Sequence, residues 1–157
     1  MEPNKEVIVV CCSSQFFGQA FDIKKELEKM GFVVRLPYTA LQMKKSGDFT
    51  PASHKIWMTN PQGYAKKRWL INNHFRKIVG GDSILVINSD KNGITGYIGG
   101  NTLMEMGVAL NHKKRIFVLN PVSDKHSYIE EIYGVMPIFL DGNLQNIRRY
   151  YAKTKRR

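Results

Sequence analysis

The segment 6–36 has the sequence EVIVVCCSSQFFGQAFDIKKELEKMGFVVRL, in which two short apolar runs flank a stretch with helical spacing. The first run, Glu6–Cys12, is β-branched and predicts a buried strand. The apolar residues of Gln19–Met30 recur at helical intervals, and Gly31 follows as a C-cap. Phe32–Leu36 predicts a second strand. A strand, a helix and a strand within about 30 residues form a βαβ unit, which favours a parallel sheet with a right-handed crossover.

The same alternation continues along the rest of the chain. The further predicted elements are a helix over Tyr64–Val79, a strand over Ser83–Asn88, a helix over Thr102–Asn111, a strand over Arg115–Asn120, a short helix over Tyr128–Tyr133, a strand over Pro137–Leu140 and a terminal helix from about Leu144. Five strands that alternate with helices predict an α/β fold with a doubly wound, five-stranded parallel sheet of the flavodoxin-like or Rossmann-like kind. With 157 residues, the chain has the length of a single domain, and we assign residues 1–157 to it.

Residues 38–63 interrupt this alternation. They contain Pro51, Pro61, two glycines and many polar residues, so that we interpret them as an inserted loop. Trp57 and Met58 are its main apolar anchors. Because a long loop in a small α/β domain is usually functional, we expect it to act as a lid over a ligand or as an oligomer contact.

The chain has a formal net charge of +11, which favours an anionic partner. A phosphorylated small molecule, nucleic acid and an acidic protein are all partners of this kind. The lysines and arginines lie in short clusters and do not form one basic arm, and such clusters are more often solvated helix faces than binding sites. Nucleic acid is therefore a possible partner but not the favoured one.

The cysteines and histidines do not have the spacing of a metal site. Cys11 and Cys12 are adjacent, so their side chains point to opposite faces of a strand and are expected to be buried thiols. The four histidines are scattered, and neither a dinucleotide fingerprint nor a P-loop is present, so we expect no metal and no cofactor.

No apolar run approaches the roughly 20 residues that cross a bilayer, and the N-terminus lacks the layout of a secretory signal. We therefore expect a cytoplasmic protein without a membrane partner.

One carboxylate, Glu105, lies in the glycine-rich sequence GYIGGNTLMEMGVAL at 96–110. We expect Thr102 to be the helix N-cap and Glu105 to lie in the first turn, where the helix dipole keeps an acid ionised. An ionised carboxylate suits a nucleophile or a hydroxyl acceptor better than a proton donor. The same residues also match a capping box, in which the Thr102 and Glu105 side chains only satisfy backbone donors.

In sheets of this type, ligands bind beyond the carboxyl ends of the strands, where the strand order reverses. The candidate binding residues occur in loops and helix starts that follow the predicted strands. They are Cys12, Ser13, Ser14, Gln15, Asn88, Gly99, Gly100, Asn101, Thr102 and Asn120. Asp90, in the loop after the third strand, is a candidate catalytic residue.

The sequences DSILVIN at 82–88, TLMEMGVA at 102–109 and KRIFVL at 114–119 resemble the nucleoside 2-deoxyribosyltransferase superfamily, which includes the 2′-deoxynucleoside 5′-monophosphate N-glycosidases. The resemblance implies a flavodoxin-like, homo-oligomeric protein in which Glu105 is the catalytic glutamate. It also implies that Cys12–Ser14 forms the substrate loop after the first strand. Two acids of the family are replaced, one by His74 on the helix before the third strand and one by Gly99. His74 is thus a candidate acid and base near neutral pH.

Together these observations predict an enzyme that cleaves or transfers at the N-glycosidic bond of a nucleoside or nucleoside 5′-monophosphate, with Glu105 as the nucleophile. The expected further roles are phosphate or sugar binding by Ser13 and Ser14, orientation of the sugar or base by Asn88 and Asp90, and positioning of the glutamate by Asn101 and Thr102. A nucleotide-binding or sensor domain without turnover is the alternative, because two acids of the family are missing. A basic protein associated with nucleic acid is a third hypothesis.

Overall fold

The computed structural model of the protein describes residues 5–152, which form one five-stranded parallel sheet. The strands are β1 (Val7–Cys12), β2 (Val33–Arg35), β3 (Ser83–Ile87), β4 (Arg115–Val118) and β5 (Ile138–Phe139). Their order in the sheet is β2-β1-β3-β4-β5, and every neighbouring pair is parallel. This is the strand order of flavodoxin-like folds, so the predicted α/β fold class is confirmed.

Six α-helices accompany the strands in the described part of the chain. They are α1 (Phe17–Lys29), α2 (Tyr38–Ser46), α3 (Tyr64–Val79), α4 (Gly100–Asn111), α5 (Ile129–Gly134) and α6 (Arg148–Ala152). Short 3₁₀ turns occur at Ser14–Phe16, Pro51–His54, Ile56–Met58, Pro61–Gly63 and Leu144–Ile147. The bounds of α3 agree with the predicted helix, and the strands are shorter than predicted by up to two residues at an end.

Side chains of β1 alternate between two hydrophobic layers, one on each side of the sheet. Val10 and Cys12 belong to the layer that contains α1, and Val9 and Cys11 belong to the layer that contains α3, α4 and α5. Both cysteines are buried free thiols, and because they belong to opposite layers, the expectation that they face opposite sides is confirmed. Because every residue of β3 is also buried, the centre of the sheet is covered on both faces.

The interpretation of residues 38–63 as a loop is wrong for their first third, since Tyr38–Ser46 is the helix α2. Gly47 ends this helix in the left-handed conformation, with its N–H donating to the carbonyl of Met43. Trp57 is buried, as expected of an anchor, whereas Met58 is 71% exposed and anchors nothing. The remaining residues form consecutive 3₁₀ turns that lead into α3.

No helix in the described range 5–152 combines the length and the apolar character needed to span a membrane.

Candidate active site

A cavity of about 240 Å³ lies beyond the carboxyl end of β1, next to the point where the strand order reverses between β1 and β3. Residues from five parts of the chain meet there: the turn after β1, the segment 37–55, one face of α3, the loop after β3 and the start of α4. The predicted site residues among its lining are Cys12, Ser13, Ser14, His74, Gly99, Gly100, Asn101, Thr102 and Glu105. The fold therefore brings together most of the candidates that the sequence indicates.

Glu105 does not lie in the first turn of its helix, which corrects the sequence-based expectation. The helix α4 begins at Gly100, and Gly99 is its N-cap in an extended conformation, with the Gly99 carbonyl accepting from the N–H of Leu103. Thr102 makes no capping hydrogen bond and is buried within the helix. Because a glycine fills the cap position three residues earlier than expected, Glu105 is the sixth residue of the helix and no capping box forms.

Glu105 is only 4% exposed, and the two oxygens of its carboxyl have different surroundings. The side-chain amide of Asn101 donates to Oε1 at 2.8 Å. The ammonium of Lys67 in turn donates to Oδ1 of Asn101 at 3.2 Å and so fixes the amide orientation. Oε2 is buried and has no hydrogen-bond partner among the described residues. An unpaired carboxyl oxygen in a buried position is costly unless a ligand or water supplies a partner.

Burial raises the pKa of Glu105 to about 8, although the neighbouring Cys11 thiol, Lys67 and Asn101 each act to lower it. The expectation of an ionised carboxylate is thus wrong for the ligand-free protein at neutral pH. The pKa is raised because Glu105 lies in the second turn of α4, where its side chain is buried away from water. Desolvation of the carboxylate there outweighs the favourable charge of Lys67.

His74 projects from α3 toward the end of β1 and is also buried. Its Nε2 lies 3.0 Å from the carbonyl oxygen of Val10 and 3.6 Å from Sγ of Cys11. Burial, together with the charge of Lys77, lowers the pKa of His74 to about 4. The imidazole is therefore neutral at neutral pH, which argues against the predicted role as an acid and base in that range.

Cys11, His74 and Glu105 form a compact buried cluster, with one potential metal-ligand atom from each lying within 4.8 Å of the others. The spacing of these residues in the sequence did not indicate this grouping, because they come from three different elements. In the cluster, Nε2 of His74 is paired with a carbonyl, and burial raises the pKa of the Cys11 thiol well above its usual range. A metal ion would have to displace both the hydrogen bond and the thiol proton, so the donor set fits a metal poorly.

Three lysines line the same cavity, a feature that sequence reasoning missed. Lys55 comes from the inserted segment, Lys67 from α3 and Lys91 from the loop after β3. The ammonium of Lys91 donates to Oγ of Ser13 at 2.9 Å. The basic clusters of the sequence gave a partial signal for Lys67, but nothing local distinguishes Lys55 or Lys91 from surface lysines.

Four predicted site residues are not part of the cavity lining. Gln15 is exposed, and its neighbours Ser13 and Ser14 are the residues of that turn that line the cavity. Asn88 and Asn120 hold each other: the Asn120 N–H donates to Oδ1 of Asn88 at 2.8 Å, and Nδ2 of Asn88 donates to the Asn120 carbonyl at 2.8 Å. Asp90 accepts from the Gly96 N–H at 3.0 Å and thereby closes a turn. The Asn88 and Asn120 contacts join the ends of β3 and β4, and the Asp90 contact stabilises the loop after β3.

Comparison with known proteins adds no assignment to this geometry, because no protein-family model and no curated protein matches the chain.

Proposed function

We propose that the protein cleaves or transfers at the N-glycosidic bond of a nucleoside or nucleoside 5′-monophosphate, with Glu105 as the nucleophile. The observation that carries this proposal is the state of the Glu105 carboxyl. One of its oxygens is held by Asn101 while the other is unpaired, and the residue lines a cavity that three lysines also line. A carboxyl of this kind is held in a fixed orientation and retains an oxygen with which to form a bond.

In the first step, an ionised Oε2 attacks C1′ of the sugar. The C1′–N bond breaks, its electron pair leaves with the base, and the base nitrogen takes a proton from solvent. The sugar is then held on Glu105 as an ester. In the second step, the oxygen of a water molecule, or the nitrogen of another base, attacks C1′ and releases the carboxylate together with one proton from the acceptor.

The raised pKa of Glu105 fits this chemistry, provided that the ionised form is the reactive one. With a pKa of about 8, roughly a tenth of the protein carries the carboxylate at pH 7. A desolvated carboxylate is a stronger nucleophile than a solvated one, and the positive charge that develops at C1′ stabilises it in the transition state. Burial therefore lowers the fraction of active enzyme while it increases the reactivity of that fraction.

The test is chromatography of mixtures of ribo- and deoxyribonucleosides and their 5′-monophosphates after incubation with the protein. We expect free base to appear with the wild-type chain and to be absent with Glu105→Gln, which keeps the size of the side chain. Circular dichroism of both proteins establishes that the variant is folded. Base release at the wild-type rate by a folded Glu105→Gln protein would contradict the proposal.

A nucleotide-binding domain without turnover is the second candidate. One observation favours it: at neutral pH, both Glu105 and His74 are mainly uncharged, so the ligand-free cavity contains no acid and base ready for proton transfer. Binding of a nucleotide without base release at any pH up to 9 would support this alternative.

A further inference from the structure

The cavity contains an excess of positive charge that its own residues do not neutralise. Lys55, Lys67 and Lys91 line it, and among the described lining residues Glu105 is the only acid. At neutral pH the Glu105 carboxyl is mainly protonated. Three lysines therefore line a space in which almost no negative charge is present.

Two of these three lysines donate hydrogen bonds to neutral partners. Lys67 donates to the amide oxygen of Asn101, and Lys91 donates to the hydroxyl of Ser13. Both lysines are half-buried, and burial lowers the pKa of each of them. Glu105 acts to raise the pKa of Lys67, whereas the charge of Lys55 acts to lower the pKa of both lysines. The Lys55 ammonium is thus close enough to repel the other two. Gathering three like charges costs free energy, and an anion bound between them would offset that cost.

We propose that the cavity takes a nucleoside 5′-diphosphate, whose pyrophosphate group is bound by Lys55, Lys67 and Lys91. This inference rests on the proposed function for the nucleoside part of the ligand. It differs from that function in the phosphate part, where it assigns a diphosphate in place of a monophosphate. A monophosphate carries close to two negative charges at neutral pH, and a second phosphate group adds about one more. Three ammonium groups match the charge of the diphosphate, whereas a monophosphate leaves one ammonium uncompensated.

The three lysines come from three separate segments, which suits a ligand group that is longer than one phosphate. Lys91 lies with Ser13 at the end of β1, and Lys67 lies beside Asn101, the partner of Glu105. Lys55 belongs to the inserted segment, which has no counterpart in a minimal βαβ alternation. The inserted segment thus supplies the third charge, and Lys55 is the residue expected to distinguish a diphosphate from a monophosphate.

The first experiment uses inorganic phosphate and inorganic pyrophosphate, since neither contains an N-glycosidic bond and turnover cannot affect the result. Binding is measured by calorimetry at matched ionic strength and without divalent cations. We expect pyrophosphate to bind about tenfold more tightly than phosphate or better. We expect Lys55→Ala to reduce that preference to about threefold or less, and the control Lys66→Ala, on the same helix as Lys67 but outside the cavity lining, to retain it.

The second experiment compares a nucleoside 5′-monophosphate and 5′-diphosphate of the same base, with binding and base release measured separately. Tighter binding of the diphosphate supports the inference, and if no base is released the proposed function fails while the inference stands. Equal affinities for the two nucleotides and for the two inorganic anions overturn the inference, even if the monophosphate is cleaved. An unchanged preference in Lys55→Ala overturns it as well.

Discussion

The side-chain amide of Asn101 donates a 2.8 Å hydrogen bond to Oε1 of Glu105, one helical turn further along α4, while Oε2 has no partner among the described residues. The amide itself is oriented by Lys67, whose ammonium donates to its oxygen. The carboxyl is thus held by a hydrogen bond to Oε1, with the Cys11 thiol near enough to lower its pKa. This asymmetry is what a nucleophile requires, because a carboxyl with both oxygens paired would have to break a hydrogen bond before it could form a covalent one.

The pH dependence of catalysis follows from the pKa of Glu105. Since the ionised form attacks and the pKa is about 8, kcat/KM is expected to rise about tenfold per pH unit below pH 8 and to level off above it. Initial rates of base release between pH 5.5 and 9.5 measure this profile. A rate that falls as the pH rises through 8 would instead indicate that the protonated carboxyl is the active form.

Removal of the amide that holds Glu105 should affect both the rate and the pH profile. In Asn101→Ala, the carboxyl loses a hydrogen bond that lowers its pKa, so we expect kcat/KM at pH 7 to fall by about tenfold and the midpoint of the profile to move above 8. Lys67→Met should move the midpoint in the same direction, because the Lys67 charge also lowers the pKa of Glu105.

The matched control for these variants is Lys66→Met. Lys66 lies on the same helix, where its ammonium is placed over the rings of Tyr38 and Trp69 and does not line the cavity. The control should retain both the rate and the midpoint. A similar loss in Lys66→Met would mean that the effect reports general positive charge and not the contact with Asn101.

The stability of the protein should depend on pH through Glu105. The folded-state pKa of about 8 exceeds the usual value of 4.5, so the folded protein binds a proton that the unfolded chain releases, and stability declines as the pH rises from 4.5 to 8. Relative to Glu105→Gln, which does not titrate, the wild type should lose on the order of 4 kcal/mol of unfolding free energy between pH 5 and pH 9. Urea unfolding of both proteins measures the difference, and parallel pH dependences would disprove the raised pKa.

Two glycines should respond in opposite ways to alanine. Gly96 has a φ of 68°, and a Cβ there would lie 2.1 Å from the carbonyl oxygen of Pro121, so Gly96→Ala is expected to cost about 3 kcal/mol or more. Gly107 lies within α4 with open space around the position of a Cβ, so Gly107→Ala should stabilise the fold by about 0.5–1 kcal/mol. Thermal unfolding distinguishes the two, and a stabilising Gly96→Ala would refute the close approach to Pro121.

Much of the fold could be predicted because its signals are local. The run of buried β-branched residues in β1 and the helical spacing of α3, which ends before Gly80-Gly81, determine elements whose identity does not depend on tertiary contacts. The helix α2 was missed because it is short and has only two buried residues, Ala40 and Met43. The predicted start of α4 is wrong because threonine is a common N-cap residue, which favours Thr102 in the sequence. In the structure the backbone conformation makes Gly99 the N-cap.

The site was predictable in part. The turn Ser13-Ser14 and the residues around Glu105 lie beyond the carboxyl ends of parallel strands, where ligands bind in sheets of this type. Their place could be predicted because it depends only on the order of helices and strands. The proximity of Cys11 to His74 and the convergence of three lysines depend on contacts between distant segments, which leave no pattern in the sequence. The raised pKa of Glu105 was missed for the same reason, since burial depends on what packs around the helix. The expected homo-oligomer stays a prediction, which light scattering of the purified protein can test.

Mass spectrometry of the protein quenched in acid during turnover of a nucleoside 5′-phosphate tests whether Glu105 forms a covalent bond with the sugar. If Glu105 is the nucleophile, the peptide that contains it will gain the mass of the sugar phosphate without its base, and the Glu105→Gln protein will show no such gain. Base release by the wild type with no adduct on that peptide, or with the adduct on another residue, would contradict the account.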